Sequence, residues 1–295
     1  MPNLPAPVVV AFLLEAALYF ATCAGGTRRR IDRAFSRSVL LPVLILSALF
    51  PYCLYSLPLG IFHGSSLLGL AVLAAAAAGW YVWLPRKPLT DIGFLALMAA
   101  VLLSGVFGSL YGAPISKIPV SALGHLMWIR LGVMSALSFR GMPGVGLGLL
   151  PTWREWMVGV QHYLYFLPCA FALAWVLKCA RFEVSKMPWW MILLTFVAML
   201  WVVGLSEEFF FRGLLLQWIR NWTGRERTAL VITSVVFGLV HLPFHAFPNW
   251  KFVILAAVAG WFYGRAYLRT GSIRSAMVAH ALTNVTMKAL VVMNF

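Results

Sequence analysis

Three ionisable side chains, Glu207, Glu208 and Arg212, stand within six residues of one another in the apolar run AMLWVVGLSEEFFFRGLLLQWI at 198–219. A charge at the centre of a membrane helix costs roughly 2.5–3.5 kcal/mol on insertion scales, so such a cluster needs partners or a task. Two later segments carry groups that complement it. Phe237 and His241 are four residues apart in FGLVH, and His280 and Asn284 are four apart in HALTN, so each pair shares a helix face. A glutamate in a low-dielectric site can act as general base on a water that a histidine also holds. A second histidine and an asparagine amide can donate to the oxyanion of a tetrahedral intermediate. Together these residue types suit hydrolysis of an amide bond. Glu208 and Arg212, at i and i+4, favour a bond to each other, which leaves Glu207 on a face about 100° round the helix.

The elements that would position these groups are membrane helices. Of the 295 residues 62% are hydrophobic and 11% charged, against about 25% charged in soluble domains. Apolar runs near 6–24, 39–57, 67–84, 92–111, 120–138, 156–178, 189–220, 228–247, 250–268 and 273–292 approach the roughly 20 residues a crossing needs. The expected fold is an all-α polytopic bundle of about eight to ten spans. Residues 1–155 form an N-terminal transmembrane region that shapes access of substrate, and 156–295 a catalytic region whose last four spans make the bundle. At about 1.5 Å per residue, Glu208 lies about 18 Å from Arg220, His241 about 20 Å from Thr228, Asn284 about 15 Å and His280 about 9 Å from Arg274. Acid, base and amide can therefore meet at similar depth.

The net charge of +15 excludes little by itself, but the basic residues form no long stripe, which argues against nucleic acid as a partner. They fall in alternate loops. If all ten runs cross, one side collects the arginines of 28–37, 220–227 and 265–274, and the other holds Lys117, Lys178, Arg181, Lys186 and Lys251. By the positive-inside rule the arginine side is cytoplasmic, with the lipid bilayer as the surrounding partner and the site nearer that side. No organelle signal is evident, and the composition resembles that of a bacterial inner (cytoplasmic) membrane protein. The first apolar run lacks a basic segment before it and reads as a retained span. Cys23, Cys53, Cys169 and Cys179 have no CxxC spacing and support neither disulfides nor a zinc site.

Other intramembrane chemistries lack their residues. There is no HExxH, the two aspartates Asp32 and Asp91 lie in early loops, and Ser206 in GLSEE is not in a G-x-S-x-G turn. The ordered set EEFFFR, FGLVH and HALTN resembles the signatures E-E-x-x-x-R, F-x-x-x-H and H-x-x-x-N of the CPBP family, the CAAX-protease and bacteriocin-processing intramembrane endopeptidases, over about residues 195–290. The resemblance implies that Glu207 and His241 activate water and that His280 and Asn284 form the oxyanion site, with Glu208, Arg212 and Phe237 in support. It implies a membrane-associated or lipid-anchored peptide or protein substrate, and no cofactor, since the family's prenyl-protein members look like glutamate-type enzymes without catalytic metal. Some bacterial relatives are associated with exosortase-like sorting of surface proteins, which makes such a system an expected partner.

The same residues admit plainer readings. The acids and histidines could form a buried network for proton relay or helix packing in a transporter or scaffold, or belong to a catalytically idle binder. His245, beyond Pro243 in HLPFH, reads as a polar rim residue, with a metal ligand as its alternative. Glu15 reads as a helix-packing or lumen-facing group, and His125 with Arg130 as marking an interfacial or substrate-facing bend. His63 and His162 receive no role.

Overall fold

The computed structural model describes residues 4–115, 118–244 and 247–293. The chain is all-α and polytopic, and it packs as two compact units, Met1–Pro143 and Gly144–Phe295. The division falls inside the glycine-rich stretch GMPGVGLGLLP, where Gly141, Gly144 and Gly146 adopt positive φ that other residues resist.

The first unit holds α1 (Ala6–Cys23), α2 (Gly25–Ala34), α3 (Arg37–Ser56), α4 (Gly64–Trp83), α5 (Pro88–Leu103), α6 (Val106–Tyr111) and α7 (Ser121–Met134), the last extended by a π-helical turn, Ser135–Phe139. The fourth expected span is broken at Gly105, whose φ of 68° separates α5 from α6. Both buried acids here, Glu15 and Asp91, are paired. Arg130, on α7, donates to Glu15 Oε1 at 2.6 Å and to the hydroxyl and carbonyl of Ser47 at 2.9 Å. Asp91 accepts from Tyr81 at 2.9 Å and from Arg140 at 2.9 and 3.1 Å. Arg130 therefore marks no interfacial bend. It is a buried counter-ion, and Glu15 is its helix-packing partner. His125 bonds the Ser121 carbonyl at 2.9 Å and packs its ring against Phe107.

The second unit begins with α8 (Trp153–Leu177), whose first turn is closed by a capping box between Thr152 and Glu155. Glu155 also binds Arg274 at 2.7 Å and so ties α8 to α14. A short strand β1 (Ala180–Phe182) pairs antiparallel with β2 (Val291–Met293), Ala180 opposite Met293. The span Trp189–Thr223 is one helix of changing pitch: α9 (Trp189–Ala198), a π-helical stretch Met199–Gly204, α10 (Leu205–Glu208), a second π-helical stretch Phe209–Leu216, and α11 (Gln217–Thr223). Then follow α12 (Glu226–Leu239), α13 (Trp250–Thr270) and α14 (Ile273–Leu290). α14 packs against α8, α13 and the first π-helical stretch. Glycines allow the close approach: a Cβ on Gly238 would lie 2.5 Å from the Val253 carbonyl, and one on Gly159 2.7 Å from that of Ser275.

Among the described residues six helices are long and apolar enough to cross a membrane, with Pro88–Leu103 a shorter apolar seventh. This count is below the eight to ten expected, and the shortfall has a physical basis. α12 has 14 residues, about 21 Å, because the chain turns at 240–244 instead of running through Pro243 as a bent helix. α13 and α14 are 21 and 18 residues long, but Lys251, Arg265 and Arg269 on α13 and Arg274, His280, Asn284 and Lys288 on α14 dilute their apolar character. Lys117, assigned to the less basic side, lies outside the described residues.

Candidate active site

The glutamate pair occupies α10, one turn of α-helix between two π-helical stretches. A π turn, bonded i to i+5, is rare and occurs mostly at functional sites. Glu208 and Arg212 are wholly buried, and Arg212 Nη1 donates to Glu208 Oε1 at 3.0 Å, the i, i+4 bond expected. Arg212 Nη2 donates to the Gly260 carbonyl on α13 at 2.8 Å. The guanidinium carbon lies 4.5 Å from the Phe237 ring centroid and 5.5 Å from that of Tyr263. The cation is thus held by a carboxylate, a carbonyl and two π faces.

His280 reaches the same carboxylate. Its Nδ1 lies 2.8 Å from Glu208 Oε1, and because an ionised carboxylate only accepts, Nδ1 is the donor and the ring orientation is fixed. Nε2 then points to Glu207, 3.8 Å from Oε2. One face of the imidazole stacks on Tyr263, centroids 4.8 Å apart and planes 16° apart, and Phe237 meets the ring at 5.8 Å in a T-shaped contact. The two carboxylates therefore lie on opposite nitrogens of one histidine. The Glu207 side chain is 33% exposed, yet its Oε2 atom is buried and has no hydrogen-bond partner among the described residues.

His241 sits in the turn that follows α12. Its Nδ1 bonds the Phe237 carbonyl at 2.7 Å, which leaves Nε2 open, and the rings of Phe237, Phe244 and Phe252 surround it. Asn284 lies one turn beyond His280 on α14, its Nδ2 3.6 Å from Met199 Sδ. His241, His280 and Asn284 border a single cavity of about 40 Å³, with Tyr263, Phe166 and Met287 among its walls. About 10–15 Å³ suffices for a water, so the space admits a small nucleophile.

All seven residues singled out from the sequence thus lie in one neighbourhood, joined by direct contacts or by the cavity. Two contributors were not foreseen, Tyr263 and Gly260. Both are on α13, which carries none of the three signatures. A polar aromatic and a glycine in an apolar helix give no signal until the packing shows Tyr263 on His280 and the Gly260 carbonyl on Arg212. Among the described residues no three His, Cys, Asp or Glu side chains are grouped as ligands of one ion, and His245 lies outside the described residues.

A polytopic helical protein that gathers two carboxylates, two imidazoles, an arginine and an amide in its C-terminal unit fits the class of membrane-embedded hydrolases. Residues 188–286 match the family model for type II CAAX prenyl endopeptidases, Rce1-like, in keeping with an intramembrane protease of the CPBP grouping. The match runs from α9 into α14, about a third of the chain, and contains all seven residues. No curated protein and no solved structure matches the chain.

Proposed function

We propose that the chain cleaves a peptide bond in a membrane-associated or lipid-anchored substrate, with water activated by Glu207 and His241 and the oxyanion held by His280 and Asn284. The observation that carries this reading is the buried Oε2 of Glu207, without a hydrogen-bond partner among the described residues, beside His280, which in turn borders the cavity shared with His241 and Asn284. A carboxylate oxygen left without a donor in an apolar site is poised to take a proton. His241 Nε2 orients the water, the carbonyl carbon of the scissile bond receives the hydroxide, and collapse of the tetrahedral intermediate breaks the C–N bond as the proton taken up by Glu207 passes to the leaving amine.

Geometry gives His280 its role. Its Nδ1 is engaged by Glu208, so Nε2 is the nitrogen that faces the site and can donate to the developing oxyanion beside the Asn284 amide. The enzyme works in the bacterial inner membrane as a multi-pass protein, with the site nearer the side that carries Arg220, Arg225, Arg265, Arg269 and Arg274.

The test is Glu207→Gln in the full chain, purified and reconstituted with a lipidated peptide carrying a fluorescent reporter. Loss of the base lowers the cleavage rate by about 10²–10⁴-fold with the thermal unfolding midpoint retained. Cleavage at the wild-type rate by a folded Glu207→Gln protein overturns the assignment.

A further inference from the structure

The basic end of the second unit holds a groove that the catalytic site does not use. It lies between α8 and α13, has a volume of about 500 Å³, and is lined by His162, Tyr165, Trp261, Phe262, Arg265 and Arg269, with Glu226 at its border. Arg265 and Arg269 are one turn apart on α13, both exposed, and neither has an ion pair among the described residues. Arg269 Nη1 donates only to a neutral acceptor, Gln161 Oε1, at 2.6 Å. The bordering acid, Glu226, is itself 4.0 Å from Arg220. Arg269 also edges a second groove on the other flank of α8, of about 940 Å³, where Arg154 again has no ion pair and Trp153, Met157 and Leu164 supply apolar walls.

We infer that the α8–α13 groove binds the phosphodiester headgroup of an anionic phospholipid, with Arg265 and Arg269 on the phosphate and the hydrocarbon against Trp261 and Tyr165. Charge and depth both favour a lipid over a free anion. Arginine forks match phosphate oxygens bidentately. Arg265 and Arg269 stand about 8 Å and 2 Å from the end of α13 at Thr270, in the headgroup layer, while Trp261 stands about 14 Å from it, where hydrocarbon begins. α8 is an apolar candidate span with little of its surface buried, so the groove opens toward the bilayer. A free phosphate would satisfy the arginines and leave the aromatic walls unused. α13 is also the helix that presents Gly260 to Arg212 and Tyr263 to His280, so a lipid clamped at its end steadies one wall of the site.

The experiment uses the full chain in nanodiscs of phosphatidylcholine with increasing phosphatidylglycerol, read by lipid adducts in native mass spectrometry and by the thermal unfolding midpoint. The expected result is saturable phosphatidylglycerol binding that weakens at least tenfold in Arg265→Gln/Arg269→Gln and stays unchanged in Arg29→Gln/Arg30→Gln, which removes equal charge from the exposed face of α2. Equal weakening in both double variants reduces the effect to diffuse charge and overturns the site. An equal midpoint shift from inorganic phosphate at the same concentration assigns the arginines to a free anion and likewise overturns it. Independently of any variant, a photoreactive phosphatidylglycerol should label peptides covering 157–165 and 261–269, and labelling confined to other segments refutes the proposal.

Discussion

His280 is the residue on which the polar cluster converges, because among the described residues it is the one side chain that faces both carboxylates. It sees Glu208 at 2.8 Å and Glu207 at 3.8 Å, while Arg212 neutralises the first of these from behind. Removing the arginine leaves a buried carboxylate uncompensated. Arg212→Met should therefore destabilise the protein by about 3–5 kcal/mol, and Glu208→Gln/Arg212→Met should recover most of that loss, as measured by unfolding in detergent. A second expectation concerns metal: if protein groups alone activate the water, cleavage persists after dialysis against a chelator, and activity lost then restored by a divalent ion would contradict the mechanism. The Glu208–Arg212 bond was legible in the sequence because it is local, four residues along one helix. The bond from His280 to Glu208 spans 72 residues and has no local signature, and the sequence instead grouped Glu208 with Arg212 alone. Glu155 is a different case: T-x-x-E ahead of an apolar run is a readable capping box, while its ion pair with Arg274 depends on packing.

At the scale of elements, the site depends on how closely α12, α13 and α14 approach. Gly238 lets α12 lie on α13, and His241 follows it by three residues. Gly238→Ala drives a methyl group to 2.5 Å from the Val253 carbonyl, an overpacking that should cost about 1–3 kcal/mol in unfolding measurements and lower turnover by moving His241. The helices themselves were legible from apolar run length, and Trp189–Thr223 follows its run closely. The changes of pitch within it were not. A π turn has the same composition as an α turn, and it forms here where α14 packs against 199–204, a tertiary contact that propensity does not encode.

At the scale of the whole chain, each unit keeps a buried ion pair of its own, Glu15–Arg130 in the first and Glu208–Arg212 in the second. Both partners of the first pair are essentially inaccessible, so Glu15→Leu or Arg130→Met alone should lower the stability of the first unit by about 3–5 kcal/mol, whereas Glu15→Leu/Arg130→Met should come close to wild type in the same unfolding assay. The sequence exposed the cost of Glu15 and of Arg130 separately; it could not join them, since 115 residues intervene. That interval also has a meaning in time. At roughly 5–20 residues per second of synthesis, α1 waits about 6–23 s for the helix that carries its counter-ion. During that wait the carboxylate of Glu15 is neutral, or hydrated, or sheltered by the insertion machinery. A nascent chain stopped short of residue 130 thus carries in its first helix an acid whose counter-ion has not yet been made.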